Sequence, residues 1–297
     1  MHSIADLIVH VYCIVDDLMK KCLVGRRLRQ RGFAPALRDS EVVTMEIVGE
    51  FLGHDTDSGI HAYFREHWLA WFPALGSRTT FLRQAANLWW AKQQAQQELA
   101  RQVGAAQDDL HIVDGLPIPV CTYTRASRVR CFKGAAAFGY CASKDEHFYG
   151  FKGHPVISSE GFIVGFAVAP ANTDERVAAW ESLGGVRGTL LGDKGYISAQ
   201  FQQELRGKDI GLRTPVRRNM APTETPGELH ALGRIRRLVE TVNSQLAERF
   251  HIQRVRARDL LHLTSRIARK ILAHTVCACI SRSLGHDPLH LSSLLPM

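Results

Sequence analysis

The apolar run Thr189-Leu190-Leu191 stops at Gly192-Asp193-Lys194-Gly195, and a helical segment opens shortly afterwards at Ser198. So short an apolar run reads as a buried strand, and the glycines end it. The segment that follows carries Phe201 and Leu205 on one helical face and meets Gly207 in the stop position. Strand, break and helix in that order point to an α/β arrangement with Asp193 just past a strand end. Loops there are free of ladder bonds, and ligands gather beside them. Taken locally, Asp193 also reads as a turn former.

Other strands are predicted around it. His111 to Leu116 places Ile112, Asp114 and Leu116 on one face, and Pro117 and Pro119 then put two missing N–H groups on one edge. His147 to Ser158 and Gly161 to Ala169 form a hairpin through Ser159-Glu160-Gly161, and Gly211 to Val216 supplies a fifth strand. Asn172-x-x-Glu175 has the form of a capping box before a short helix bearing Val177, Trp180 and Leu183. Three strands, a helix, a strand, a helix, a strand and further helices predict a mixed five-stranded sheet flanked by helices.

Residues 1–105 have a different texture. Ile4, Leu7, Ile8, Val11, Ile14, Val15 and Leu18 repeat at helical spacing. Further helices are predicted from Asp39 or Ser40 to Phe51, from Gly59 to Phe72 and from Thr79 to Val103. The expected division is a helical domain over 1–105, readable as a bundle or as a helix-turn-helix DNA reader, and an α/β domain with C-terminal helices over 106–297.

Charge narrows the partners. Lys and Arg number 37 against 29 Asp and Glu, a formal charge of +8. Between Arg206 and Arg282 there are 16 basic and 6 acidic residues, so the surplus lies in the C-terminal quarter. A polyanion is the expected partner. Seven cysteines with no CxxC pair argue for a reducing, cytoplasmic setting and against a zinc site. No stretch is long and apolar enough to predict a membrane span.

Asp114 has apolar neighbours on its strand face, so its carboxylate needs a partner, a proton or a cation. Asp114-Gly115 is alternatively a hairpin turn. In RIRRLVETVNSQLAERF, Leu232, Ile235, Val239, Val242 and Leu246 form one apolar stripe. Glu240 stands about 100° off that stripe, on a flank with Arg236, Arg237 and Asn243. Glu240 reads either as an exposed ion pair with Arg236 or as a helix residue reaching over the sheet. Two acids near strand ends and one on a later helix, in a basic chain, suit phosphodiester chemistry. Two Mg²⁺ ions about 3.5–4 Å apart activate water and stabilise the leaving oxygen, and converging carboxylates suffice to hold them.

In chain order, the stretches VDGLPIPVC, ASKDEHFYGFKGH, LLGDKGYI, PVRRNM, RRLVETVNSQL and RVRARDL carry a resemblance, which SEVVTMEIVGEFLG and HAYFREH extend toward the N-terminus. The chain resembles insertion-sequence transposases of the DDE class with an RNase H-like catalytic domain, and is most similar to the insertion-sequence family numbered 982. The resemblance implies that Asp114, Asp193 and Glu240 are the catalytic, metal-binding triad, using Mg²⁺ or Mn²⁺ in its place. It implies cleavage of element ends by water and joining of the 3′-OH ends to target DNA. Double-stranded DNA, as terminal inverted repeats and target, is then the partner, and a homodimer in the cytoplasm, at the nucleoid, is expected to bring two ends together. The chain departs from related groups at Gly233 and Ala247, where a Tyr and a Lys often stand; Arg236 fits the Arg of that pattern, and Arg249 is the candidate substitute for the Lys.

Lys152, Lys194, Arg217, Arg218, Arg254, Arg256 and Arg258 are candidate phosphate contacts, setting affinity and salt dependence rather than sequence choice. Alternation puts His154 on the face of Lys152. The competing functions are a catalytically inactive or domesticated DNA-binding relative and an RNase H-like nuclease that hydrolyses without joining strands.

Overall fold

In a computed structural model, residues 3–29, 31–141, 145–215 and 226–294 are described, except the side chains of 226–232 and 234. The helices are α1 (Ile4–Cys22), α2 (Asp39–Phe51), α3 (Asp57–His67), α4 (Arg78–Asn87), α5 (Trp89–Gln102), α6 (Glu175–Ala179), α7 (Ala199–Arg206), α8 (Pro226–Glu248) and α9 (Leu260–Ser283). The strands are β1 (Leu110–Val113), β2 (Leu116–Thr122), β3 (Ala137–Cys141), β4 (Glu146–Ser158), β5 (Ile163–Pro170), β6 (Gly188–Leu191) and β7 (Ile210–Arg213). No helix among the described residues is long and apolar enough to cross a membrane, and none of the seven cysteines, all among the described residues, forms a disulfide.

The chain divides into two compact units: residues 1–99 with 245–297, and residues 100–244. The C-terminal helix α9, expected beside the sheet, thus clusters with the N-terminal helices. In this helical unit α2 is buried along nearly its whole length, including Glu46 and Glu50, and α9 buries Arg269 and Lys270. The single helix predicted over Thr79 to Val103 is two helices that break at Leu88. The carbonyl of Ala85 accepts from Lys92 Nζ and from Ser265 Oγ, each at 3.0 Å, and takes the Leu88 N–H in a tighter turn at 3.3 Å. Side chains competing for a helix carbonyl in this way interrupt the regular ladder.

The second unit is a mixed α/β fold. Its sheet has seven strands rather than five. Through its centre β5, β4, β1, β6 and β7 lie side by side, with β5–β4 and β4–β1 antiparallel and β1–β6 and β6–β7 parallel. The two further strands arise because Asp114 and Gly115 interrupt the predicted strand over His111 to Leu116. Leu116 onward pairs with the N-terminal half of β4 instead, and β3 takes the opposite edge of that half. Pro117 and Pro119 lie on β2, whose sole strand partner is β4 among the described residues, as their missing N–H groups require. Of the apolar residues singled out in the sequence, Ile112, Leu116, Leu190, Leu191, Phe201 and Leu205 are buried, as are Val239 and Val242 of the α8 stripe; Val156, Ile157, Ile163 and Ile210 add to this core.

Candidate active site

The register of β1 against β6 pairs Ile112 with Leu191. Asp114 and Asp193 each follow their strand's paired residue by two positions, so two carboxylates leave neighbouring parallel strands at the same height. Both are half-buried. Asp193 is a turn former as well: its Oδ1 accepts the Gly195 N–H at 2.7 Å and caps the short turn Lys194–Tyr196, whereas Ser198 caps α7.

A third carboxylate arrives from α6. A Cβ placed on Gly195 would lie 2.6 Å from Glu175 Oε2 and 2.9 Å from Asp193 Oδ1, and one on Gly115 would lie 3.3 Å from Glu175 Oε1. Glycine at both positions lets Glu175 rest against the two loops that carry the aspartates. The capping-box reading of Asn172 and Glu175 does not hold, because Asp174 caps α6 through the Arg176 N–H at 2.9 Å and frees Glu175 to turn inward. Lys152 Nζ reaches Glu175 Oε1 at 3.0 Å, so this lysine is engaged within the site.

From α8, Asn243 Nδ2 donates to Asp114 Oδ2 at 3.1 Å. The Asp114 carboxyl is pushed up to about 6, chiefly by burial, with the negative charges of Asp193 and Glu175 adding and Arg236 opposing. Arg236 and Asn243 thus turn one flank of α8 toward Asp114. Glu240 occupies the same flank but is exposed, and it forms no ion pair with Arg236 among the described residues. Tyr196, fully buried, has a hydroxyl without a hydrogen-bond partner, as has Asn243 Oδ1. Burial and the surrounding charges of Glu175, Asp114 and Asp193 raise the tyrosine well above its ordinary range.

Three carboxylates as hard oxygen donors, beside orphaned polar atoms, fit a divalent cation. Among the described residues, however, no three His, Cys, Asp or Glu side chains are already drawn together closely enough to hold one. Asp114, Asp193 and Glu175 share a corner, and Glu240 is exposed on the flank of α8 that carries Arg236 and Asn243.

The remaining basic candidates are dispersed. Lys194 is exposed beside Asp193, whereas Arg217 and Arg218 lie outside the described residues. Arg249, Arg254, Arg256 and Arg258 belong to the helical unit, where Arg249 stacks 4.8 Å over Phe51 and Arg256 Nη2 lies 3.9 Å from Asp55. His154 is buried with both ring nitrogens unpartnered and therefore presents no surface to a phosphate. Sequence reasoning missed Glu175 and Tyr196 as site residues. Their local patterns describe a helix start and a core aromatic, and only the strand register brings them to the aspartates.

Two acids at the ends of adjacent parallel strands, on a mixed sheet flanked by helices, define the class: an α/β protein with an acidic site at the strand ends. The family described as Transposase DDE domain matches residues 104–260, just over half the chain, and the protein belongs to it. No curated protein and no solved structure is a significant match.

Proposed function

We propose that the chain is an insertion-sequence DDE transposase, most similar to the family numbered 982, whose strand order β5-β4-β1-β6-β7 is an RNase H-like core. Asp114, Asp193 and Glu240 are its carboxylate triad. The observation that carries this reading is the matched height of Asp114 and Asp193 at the ends of β1 and β6. The Arg236–Asn243 flank of α8 supports it by facing Asp114.

Mg²⁺, or Mn²⁺ in its place, held by these carboxylates would supply Lewis acidity to the phosphodiester. The chain's own groups do the rest. Asn243 fixes the Asp114 carboxylate, Gly195 fixes that of Asp193, and Arg236 offers positive charge to a phosphate. Hydrolysis adds water to phosphorus and breaks the bond to O3′, leaving a 3′-OH and a 5′-phosphate. In joining, that 3′-OH attacks a target phosphodiester, so one P–O bond forms as another breaks and the displaced 3′ oxygen takes up a proton. The partner is double-stranded DNA, and a dimer is needed to hold two ends together.

Asp193→Asn is expected to lower Mg²⁺-dependent cleavage of an end-bearing duplex by at least about a thousandfold, a few kcal/mol of lost charge stabilisation, while binding persists. Undiminished cleavage by the variant would remove Asp193 from the mechanism. The exposed position of Glu240 favours, as the second reading, a DNA-binding relative without catalysis. Wild-type protein that binds ends but never cleaves them would establish that alternative.

A further inference from the structure

The β3–β4 ribbon in the sheet-bearing unit has two unlike faces. On the inner one a Cβ at Gly139 would lie 2.7 Å from Ala171 Cβ and 3.0 Å from Phe148, so that side is packed. The outer face is aromatic. Register places Phe138 opposite Tyr149 and Tyr140 opposite His147, with ring centroids 5.4 and 4.9 Å apart. Tyr123, beyond the end of β2, joins both pairs, 5.4 Å from Phe138 and 5.8 Å from His147. The result is one contiguous patch of five rings. Tyr123, Phe138 and Tyr140 are 57%, 52% and 44% exposed, values that no packed core would leave.

Charge identifies the occupant. Arg125 and Arg128 share with Tyr123 the turn Tyr123–Arg128, which packs on β2 and β4, and Arg130 and Lys133 follow in the connection leading into β3; all four are exposed, and none forms an ion pair among the described residues. The acids at the other end are Asp145, which accepts the Tyr140 hydroxyl at 2.7 Å, and Glu146. Exposed π-faces beside free guanidinium groups suit nucleobases carried on a phosphate backbone. Paired bases hide their faces inside the helix, so the fit is to unpaired ones. We infer that this ribbon is a stacking surface for unpaired bases of a DNA strand, such as those freed at a frayed or cut end. The inference rests on the reading of the chain as DNA-acting and assigns the ribbon a role separate from that of the carboxylates.

The test uses the full-length protein in EDTA, so that cleavage does not intervene, with two probes: a blunt duplex and the same duplex with a 3′ overhang containing 2-aminopurine. Wild-type protein should bind the overhang probe more tightly and quench its fluorescence. Phe138→Ala and Tyr140→Ala should each weaken overhang binding by about tenfold, the usual scale for one lost base stack, with blunt-duplex binding kept within about twofold. Phe138→Leu should behave as Ala does, and Phe138→Trp should restore both affinity and quenching. Since both side chains are exposed, unchanged circular dichroism is expected and excludes misfolding. Equal binding of the overhang by wild type and ring variants, equal losses on both probes, or no quenching would overturn the assignment. Wild-type protein that binds neither probe would overturn the DNA-acting reading along with it.

Discussion

The helical unit and the sheet-bearing unit treat charge in opposite ways. In the helical unit Lys92 Nζ lies 3.0 Å from each oxygen of Glu46, Lys270 Nζ lies 2.7 Å from Glu50, and Arg266 holds Asp57 at 2.6 Å. Arg269, fully buried, joins Glu46, Glu50 and Asp57. These four cations surround the three anions, and each anion has at least two of them as partners. In the sheet-bearing unit Asp114, Asp193 and Glu175 share one corner with Lys152 bonded to Glu175 and Arg236 near Asp114, and burial holds the Asp114 carboxyl near 6. Matched buried charge holds helices in place. Half-buried carboxylates gathered at strand ends leave a site suited to a cation.

The comparison breaks first if Arg269 is expendable. Arg269→Met leaves three buried carboxylates short of their shared partner and should cost about 3–5 kcal/mol, read by denaturant unfolding of the helical unit. A loss below about 1 kcal/mol would mean that the network is not what holds α2 to α9.

Asp114→Asn should act in the opposite sense, stabilising the protein by about 1–3 kcal/mol at pH 7 while abolishing cleavage. The sign follows from proton linkage. Between the ordinary carboxyl value of 3.8 and about 6 the folded state holds the proton more tightly than the unfolded one. Wild-type stability attributable to Asp114 therefore falls as pH rises through that window, and stays lost above it. Removing the carboxylate abolishes this slope. Mg²⁺ or Mn²⁺ should raise the unfolding midpoint of the wild type and leave that of Asp114→Asn nearly unmoved. A variant no more stable than wild type would show that the site is not electrostatically strained.

His154 sharpens the same measurement. Burial, with Lys152 nearby, lowers it to about 4 from an ordinary 6.5, so the folded state resists the proton that the unfolded state accepts. Its contribution is complete above pH 6.5 and is lost as pH falls toward 4, opposite in sign to that of Asp114. His154→Leu replaces two unpartnered ring nitrogens with apolar volume. It should reduce the acid limb, to which buried His274 and His111 also contribute, and change neutral-pH stability by no more than about 1 kcal/mol. An acid limb unchanged in His154→Leu would assign that limb to other groups.

Much of the fold is legible in short windows. The Leu191–Gly192 break, the Val239 and Val242 stripe and the α1 periodicity are i to i+4 patterns, and they appear where expected. The break at Leu88 is not legible in this way, because its cause includes Ser265, far along the chain. Of the site, Asp114 and Asp193 stand out as carboxylates at strand ends. Glu175 does not, since the local pattern suggests a cap and Asp174 fills that position instead.

The sequence by itself determined the positions of α2, α7, β4, β5 and β6 to within a few residues, and that Asp193 stands just beyond a strand end, because backbone preference and side-chain periodicity act over a few residues. Tertiary structure alone decided that β6 lies beside β1 at matched height, that Glu175 rests against Gly115 and Gly195, and that α9 supplies the counter-charges of α2. Such pairings join residues tens to hundreds of positions apart, and they depend on register and packing that no local window contains.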